Sequence, residues 1–306
     1  MYLPWEKPKP PIRPAHVVAE IGCNHLGRVD IAKELIRAAR VCGASVVKSQ
    51  KRNPRVCLTP EEYAAPHPNP AHAFGATYGA HREALELSAA QHAELLAFAA
   101  AQGVQYTVSV WDEPSAHEMI ALDVPYLKVP SARNTDWELL RILRDEYAGP
   151  LHVSSGMAER DDIEALIRFF EETGQARRRL VVYACTSGYP VPFHEVCLLE
   201  IRRLREQYGA RVREIGFSGH HLGIAVDVAA FALGAAWIER HFTLDRTWKG
   251  TDHAASLEPS GLARLCRDIE AVALAWRDKP AEMMAIERVQ FEKLKGARFV
   301  CAGTSR

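Results

Sequence analysis

Short runs of apolar and β-branched residues recur along the chain: residues 16–22 (HVVAEIG), 45–50 (SVVKSQ), 104–110 (VQYTVSV), 126–131 (YLKVPS), 151–156 (LHVSSG), 180–185 (LVVYAC), 214–219 (EIGFSG) and 237–243 (WIERHFT). They are too continuously apolar for strands wetted on one face, and they suit strands covered by helices. Between them the apolar spacing changes to that of a helix. In VDIAKELIRAARVCG, Ile31, Leu35, Ile36 and Ala39 form one stripe, and Gly43 follows as a natural C-terminal cap. SAAQHAELLAFAAAQG, SAHEMIALD, DWELLRILRDEY, ERDDIEALIRFFEETG, LLEIRRLREQYG and VDVAAFALG repeat the pattern, and SGLARLCRDIEAVALAW follows the eighth run. Eight alternating strand and helix units predict an α/β fold of the (β/α)8 TIM-barrel kind rather than an open doubly wound sheet.

The pattern breaks once, over residues 51–79, which read as a long irregular loop. Because the break follows the second strand, a barrel would carry it over the catalytic face, where it could act as a lid. The division expected is an extended proline-rich arm over 1–15, a barrel over 16–280, and a C-terminal helix and tail over 281–306.

Composition narrows the function classes. A chain of 306 residues that is 48% hydrophobic can bury a full core without disulfides. Lys plus Arg and Asp plus Glu both number 38, so no net positive charge invites nucleic acid or an anionic membrane. The seven cysteines are scattered without a CxxC pair, which favours reduced thiols in the cytoplasm over a zinc knuckle. Nothing resembles a signal peptide, and no apolar stretch approaches the roughly 18 residues of a membrane span.

In a TIM barrel the chemistry gathers at the C-terminal ends of the strands. Those ends carry Glu20, Lys48 and Gln50, Ser109, Lys128 and Ser131, then Ser154 and Ser155, Thr186, Ser187 and Tyr189, Ser218 and His220, and Glu239 and His241. Two lysines among hydroxyls suit a small ligand with a phosphate and a carboxylate, such as phosphoenolpyruvate. The plain alternative is that each lysine pairs with Glu20 or Glu239 inside the barrel. His220 and His241, on adjacent strands, could hold one divalent ion and leave positions for water and a substrate oxygen. The neighbouring His221 reads as a hydrogen-bonded residue of the core or surface.

The motifs AEIGCNHLG, VVKSQ, LKVPSA, SSGM, ACTSGYPVP, IGFSGHH, IERHFTLDR and KGTDHAASLEP, in this order over roughly residues 16–260, resemble the sialic acid synthase family. The resemblance implies a TIM barrel that joins phosphoenolpyruvate to a sugar aldehyde, giving a 2-keto-3-deoxy sugar acid and phosphate. Carried over position by position, it implies that Lys48, Ser109, Lys128, Ser131, Ser154, Ser187 and Ser218 contact phosphoenolpyruvate, with Glu20, Lys48 and Lys128 catalytic. His220 and His241 match two metal-binding histidines, for manganese, magnesium or another divalent ion. Gln50, Tyr189 and Asp252 match positions facing the acceptor sugar.

The family usually adds a small antifreeze-like domain and forms a domain-swapped dimer, in which that domain lends an arginine to the partner's acceptor site. The expectation here is a homodimer or higher homo-oligomer without that domain, because the sequence reaches Arg306 some 50 residues after the eighth run. Arg133 stands where members acting on N-acetyl sugars typically have a glutamate. It either meets an anionic acceptor, replaces the missing arginine, or pairs with Asp136. Two other classes remain: a Schiff-base aldolase or lyase on Lys128 or Lys48, and a barrel that binds a sugar without catalysis.

Overall fold

A computed structural model of the chain describes residues 12–295. Most of the proposed arm (1–11) and the end of the tail (296–306) lie outside the described residues. The eight expected strands are β1 (His16–Glu20), β2 (Val46–Lys51), β3 (Gln105–Val110), β4 (Leu127–Val129), β5 (Leu151–Ser154), β6 (Leu180–Cys185), β7 (Glu214–Gly219) and β8 (Trp237–His241). All pair in parallel in sequence order, and β8 closes on β1 through the register Glu20↔His241. The fold is a (β/α)8 barrel.

Successive side chains on a strand point to opposite faces, so each strand feeds two layers. One set, including Ala19, Val47, Val108, Val129, Val153, Val182, Phe217 and Ile238, joins the core beneath the surrounding helices. That explains why the strands read as nearly continuous apolar runs. The other set fills the barrel. Towards its N-terminal end Val18, Val46, Tyr126, Val181, Tyr183 and Trp237 make a separate apolar plug. Two residues further along the same strands the set turns polar, with Glu20 after Val18, Lys48 after Val46, Lys128 after Tyr126 and Glu239 after Trp237.

Eight helices follow the eight strands: Val29–Val41, Ala89–Ala101, Glu113–Ala121, Trp137–Asp145, Arg160–Glu171, Glu200–Tyr208, Ala225–Ala232 and Pro259–Ala275. The stretch 51–79 is not the irregular loop that its proline content suggested. It holds the short helices Pro54–Cys57 and Pro60–Ala64 and the start of a third, Tyr78–Ala84. Asn53 caps the first, Thr59 and Glu62 form a capping box on the second, and Thr77 caps the third. The sequence signal was present in Thr59-Pro60-Glu61-Glu62, where a capping hydroxyl, a proline at the first helical position and a glutamate three residues on coincide. The segment reaches across to the β8 side: Gly250 N donates to His72 Nδ1 at 3.1 Å, and the Lys249 ammonium sits 4.8 Å from the Phe74 ring centroid.

Beyond the barrel, the helix Ala285–Leu294 leaves Ile286, Val289 and Leu294 exposed. The six described cysteines are free thiols, and no described helix is long and apolar enough to cross a membrane.

Candidate active site

The polar layer opens into a cavity at the C-terminal end of the barrel. Its wall includes Glu20, Lys48, Gln50, Ser109, Lys128, Ser131, Ser154, Tyr189, Ser218, His220, Glu239 and His241, residues singled out from the sequence, and also Trp111, Met157 and Cys185. Strand register explains the grouping: Glu20 lies opposite Lys48, Gln50 opposite Ser109, Ser109 beside Lys128, and Ser218 opposite Glu239.

Both lysines are buried and already partnered. Lys48 Nζ binds the Glu20 carboxylate, donates to Ser109 Oγ at 2.6 Å and lies 3.5 Å from Glu239. Lys128 Nζ lies 2.7 Å from Glu239 Oε1 and 4.4 Å from the Tyr183 ring centroid. The internal pairing considered as the plain alternative is therefore present. Burial alone would push the Glu239 carboxyl up, but the ammonium groups of Lys128 and Lys48 outweigh it and hold it down at about 2. Burial likewise opposes the Lys48 charge, yet Glu20 and Glu239 raise its pKa above the ordinary value. At Lys128 burial wins and the pKa falls. Two ammonium groups facing two carboxylates can exchange those partners for an anionic ligand with little change in charge balance.

Ser187 does not line this cavity but lies at its edge. A methyl group on Gly156 would come within 2.6 Å of both Ser187 Oγ and Ser131 Oγ, so the two hydroxyls converge on that glycine. Asn134 holds the turn, donating to the carbonyls of Ser154 and Gly156 at 2.9 Å each.

His220 and His241 face each other with ring centroids 5.5 Å apart, and Tyr189 packs on both at 4.3 and 5.8 Å. Asp252 sits 3.8 Å from His241 Nδ1, beside the histidine instead of in the cavity wall. Arg133 lies 3.5 Å from Asp136, so that pair also forms, and Arg133 borders an adjoining cavity.

Comparison with known proteins carries this geometry to a family. A sequence profile of the NeuB family matches residues 35–280. The chain belongs to the NeuB family. It is 36% identical over 281 residues to the N-acetylneuraminate-9-phosphate synthases of Mus musculus and Homo sapiens, covering 92% of this chain and 76% of each relative. It is 32% identical to the N,N'-diacetyllegionaminic acid synthase of Campylobacter jejuni, over 86% of this chain and 77% of that one. The crystal structure of an N-acetylneuraminic acid (sialic acid) synthetase from Leptospira borgpetersenii, in complex with citrate, superposes with a TM-score of 0.76 at 25% identity, covering 94% of this chain and 93% of the other. The named relatives are synthases, and this NeuB-family chain is an enzyme of that kind.

The donor set of the NeuB-family site is compatible with the expected metal. His220 Nδ1 lies 3.1 Å from the Thr186 carbonyl, which can only accept, so Nδ1 carries the proton and Nε2 is left as a lone-pair donor. Burial, then the neighbouring His241, lowers its pKa to about 3 and keeps the ring neutral, the form that binds a metal. His241 Nδ1 is buried without a hydrogen-bond partner. No cluster of three or more His, Cys, Asp or Glu side chains suited to a metal occurs among the described residues, so water and substrate oxygens would complete such a site.

Sequence reading offered Glu239 only as the partner of one barrel lysine, and the structure makes it the carboxylate shared by both. Its alternation with His241 on β8 was the available signal. Arg52 carried none, whereas Arg82, like Tyr78 and His81, is an acceptor candidate from the sequence of the long segment after β2.

Proposed function

We propose that this NeuB-family enzyme condenses phosphoenolpyruvate with an aldose to give a 2-keto-3-deoxy sugar acid and inorganic phosphate. One observation carries the reading: two buried lysines, ringed by serine hydroxyls, share a cavity with two facing histidines. The products named for its relatives are sugar acids, which supports it.

In this reading Lys48 and Lys128 hold the phosphate and carboxylate of the donor, exchanging their bonds to Glu20 and Glu239. Ser109, Ser131, Ser154, Ser187 and Ser218 satisfy its remaining oxygens. C3 of the enol phosphate attacks the aldehyde carbon, forming the new carbon–carbon bond while the aldehyde oxygen takes a proton. Water adds at C2, and phosphate then leaves with the C2–O electrons to yield the ketone. Glu20, freed from Lys48, orients the attacking water or the aldehyde, and Gln50 and Tyr189 contact the acceptor. A divalent cation, manganese before magnesium, would be held by His220 and His241 and would polarise the aldehyde oxygen. A homodimer or higher oligomer and a cytoplasmic location complete the proposal.

The test is release of inorganic phosphate from phosphoenolpyruvate by enzyme loaded with manganese, over a panel of N-acetylmannosamine, its 6-phosphate, mannose and arabinose 5-phosphate. At least one aldose should be consumed, and His220→Ala and His241→Ala should abolish manganese binding measured by calorimetry. No release with any aldose would sink the condensation; unaltered metal binding in both variants would sink the metal assignment. A Schiff-base aldolase on Lys128 is favoured only by the lowered pKa of that amine, and borohydride trapping with a keto acid would reveal it.

A further inference from the structure

Beneath the central cavity the barrel floor meets Lys128 with an aromatic face. The Lys128 ammonium lies over the Tyr183 ring, 4.4 Å from its centroid. Tyr183 is fully buried on β6, and its hydroxyl is 2.8 Å from Nδ1 of His152 on β5. His152 is fixed in turn, since it stacks on Tyr126 with centroids 3.9 Å apart and planes at 14°, and meets Trp237 edge-on at 4.6 Å. Gly216, the register partner of Tyr183 on β7, leaves room for the ring: a Cβ there would stand 2.7 Å from Tyr183 Cδ1 and Cε1.

The contact answers a difficulty in the exchange of partners. Lys128 is buried, and the carboxylate it meets at 2.7 Å, Glu239, is also approached by Lys48 at 3.5 Å. His152 on β5 and Cys185 on β6 lie beside the amine too, but burial keeps that imidazole neutral and pushes that thiol up, so neither supplies a negative charge. Burial also lowers the pKa of the amine itself. An ammonium that leaves Glu239 for a ligand therefore needs a second stabilising contact. An aromatic face supplies one without a charge of its own, and it counts most where water is excluded.

We infer that Tyr183 is a positioning residue for Lys128: its ring face carries the ammonium and keeps it charged and aimed at the donor while the Glu239 carboxylate gives way. The inference rests on the donor site proposed above, and it adds to that site a residue that does not line the cavity. His152 and Gly216 hold the ring where the amine needs it.

The test follows phosphoenolpyruvate affinity by calorimetry on the full chain between about pH 7.5 and 10, above the second ionisation of a phosphate monoester near pH 6. Lys48, with its raised pKa, titrates above Lys128, so loss of affinity in alkali reports Lys128. Tyr183→Leu should move that loss to lower pH by about one unit and weaken binding about tenfold. Tyr183→Met, whose unbranched chain fills the space without an aromatic face, gives the same reading if the leucine variant does not fold. Tyr183→Phe keeps the ring and should match the wild type within about twofold at every pH, although the lost bond to His152 lowers its melting temperature. A merely structural role would lower the melting temperature in every variant and leave the alkaline loss in place, which overturns the inference, as does a phenylalanine variant shifted as far as leucine. The expected shifts without phosphate release from any aldose overturn the condensation and leave the positioning role standing. No binding of phosphoenolpyruvate to the wild type overturns the donor site and the inference with it.

Discussion

The ammonium group of Lys128 on β4 lies 2.7 Å from the Glu239 carboxylate on β8, and these strands stand at opposite sides of the eight-stranded barrel. The pair spans the barrel interior, and Lys48 approaches the same carboxylate oxygen at 3.5 Å. Glu239 therefore holds two cations in place. Replacing it by glutamine removes the shared charge and leaves two buried ammonium groups with only Glu20 between them. Glu239→Gln should lower folding stability by about 3 kcal/mol, the usual cost of stripping a buried charge of its partner. Added phosphoenolpyruvate should recover more of the melting temperature in the variant than it adds to the wild type, because it supplies the missing anion. A variant as stable as the wild type without ligand would show that the pair is not what balances the lysines.

Gly156 marks where Ser131 and Ser187 converge, and a side chain of any size there would meet both hydroxyls at 2.6 Å. Gly156→Ala should raise the KM for phosphoenolpyruvate about tenfold, a loss of one or two hydrogen bonds to the donor. The acceptor KM and the melting temperature should hardly move, since the turn is at the surface of the cavity and not in the core. An unchanged donor KM would remove both serines from the donor site.

Each histidine assigned to the metal has a neighbour that points out of the barrel. His221 follows His220, Arg240 precedes His241, and the two meet Asp227 outside the sheet. Arg240 is almost fully buried, binds the Asp227 carboxylate, and donates to the Gly223 carbonyl at 2.8 Å. The cluster ties the loop after β7 to β8 and so fixes the spacing of His220 and His241. Asp227→Asn, which keeps the shape and removes the charge, should weaken manganese binding about tenfold, as changes behind a metal ligand commonly do. Phosphoenolpyruvate affinity without metal should be unchanged, whereas a merely structural defect would weaken both.

Much of this architecture is legible in sequence because the barrel repeats one physical problem eight times. An outward residue such as Val47 or Val153 must be apolar beneath a helix, and its inward neighbour at a strand end is free to be Lys48 or Ser154. Once the strands are found, period-two alternation assigns most of the cavity wall. The segment after β2 is harder, since its helices depend on caps at Asn53, Thr59 and Thr77 and not on an apolar stripe. Arg52 stayed hidden for a related reason. A guanidinium in a sequence reads as a solvated surface group, and only the packing of Trp111 against Arg52 turns it inward. Asp252 was legible only through the family resemblance, and the structure sets it 3.8 Å from His241 Nδ1.

Three of the buried imidazoles away from His220 and His241 contribute to the behaviour in acid. Burial, then Arg52, lowers His25 to about 4; burial, then His25, lowers His92 to about 3; and burial, then Lys128, drives His152 well below its ordinary value. His92 and His152 each bond a buried tyrosine hydroxyl at 2.8 Å, Tyr106 and Tyr183 respectively. With the folded pKa below the unfolded value of about 6.5, the unfolded chain binds protons that the folded chain refuses. Stability contributed by the neutral rings is thus complete above about pH 6.5 and is lost as pH falls from there towards each folded pKa, by at most about 1.4 kcal/mol per pH unit for each ring. The melting temperature should fall steadily between about pH 6.5 and 5, before most carboxylates titrate. His92→Gln, which retains a partner for Tyr106, should cost some stability at neutral pH and make that decline shallower. A melting temperature flat across this interval, or a slope unchanged in the variant, would mean that the rings accept protons inside the fold.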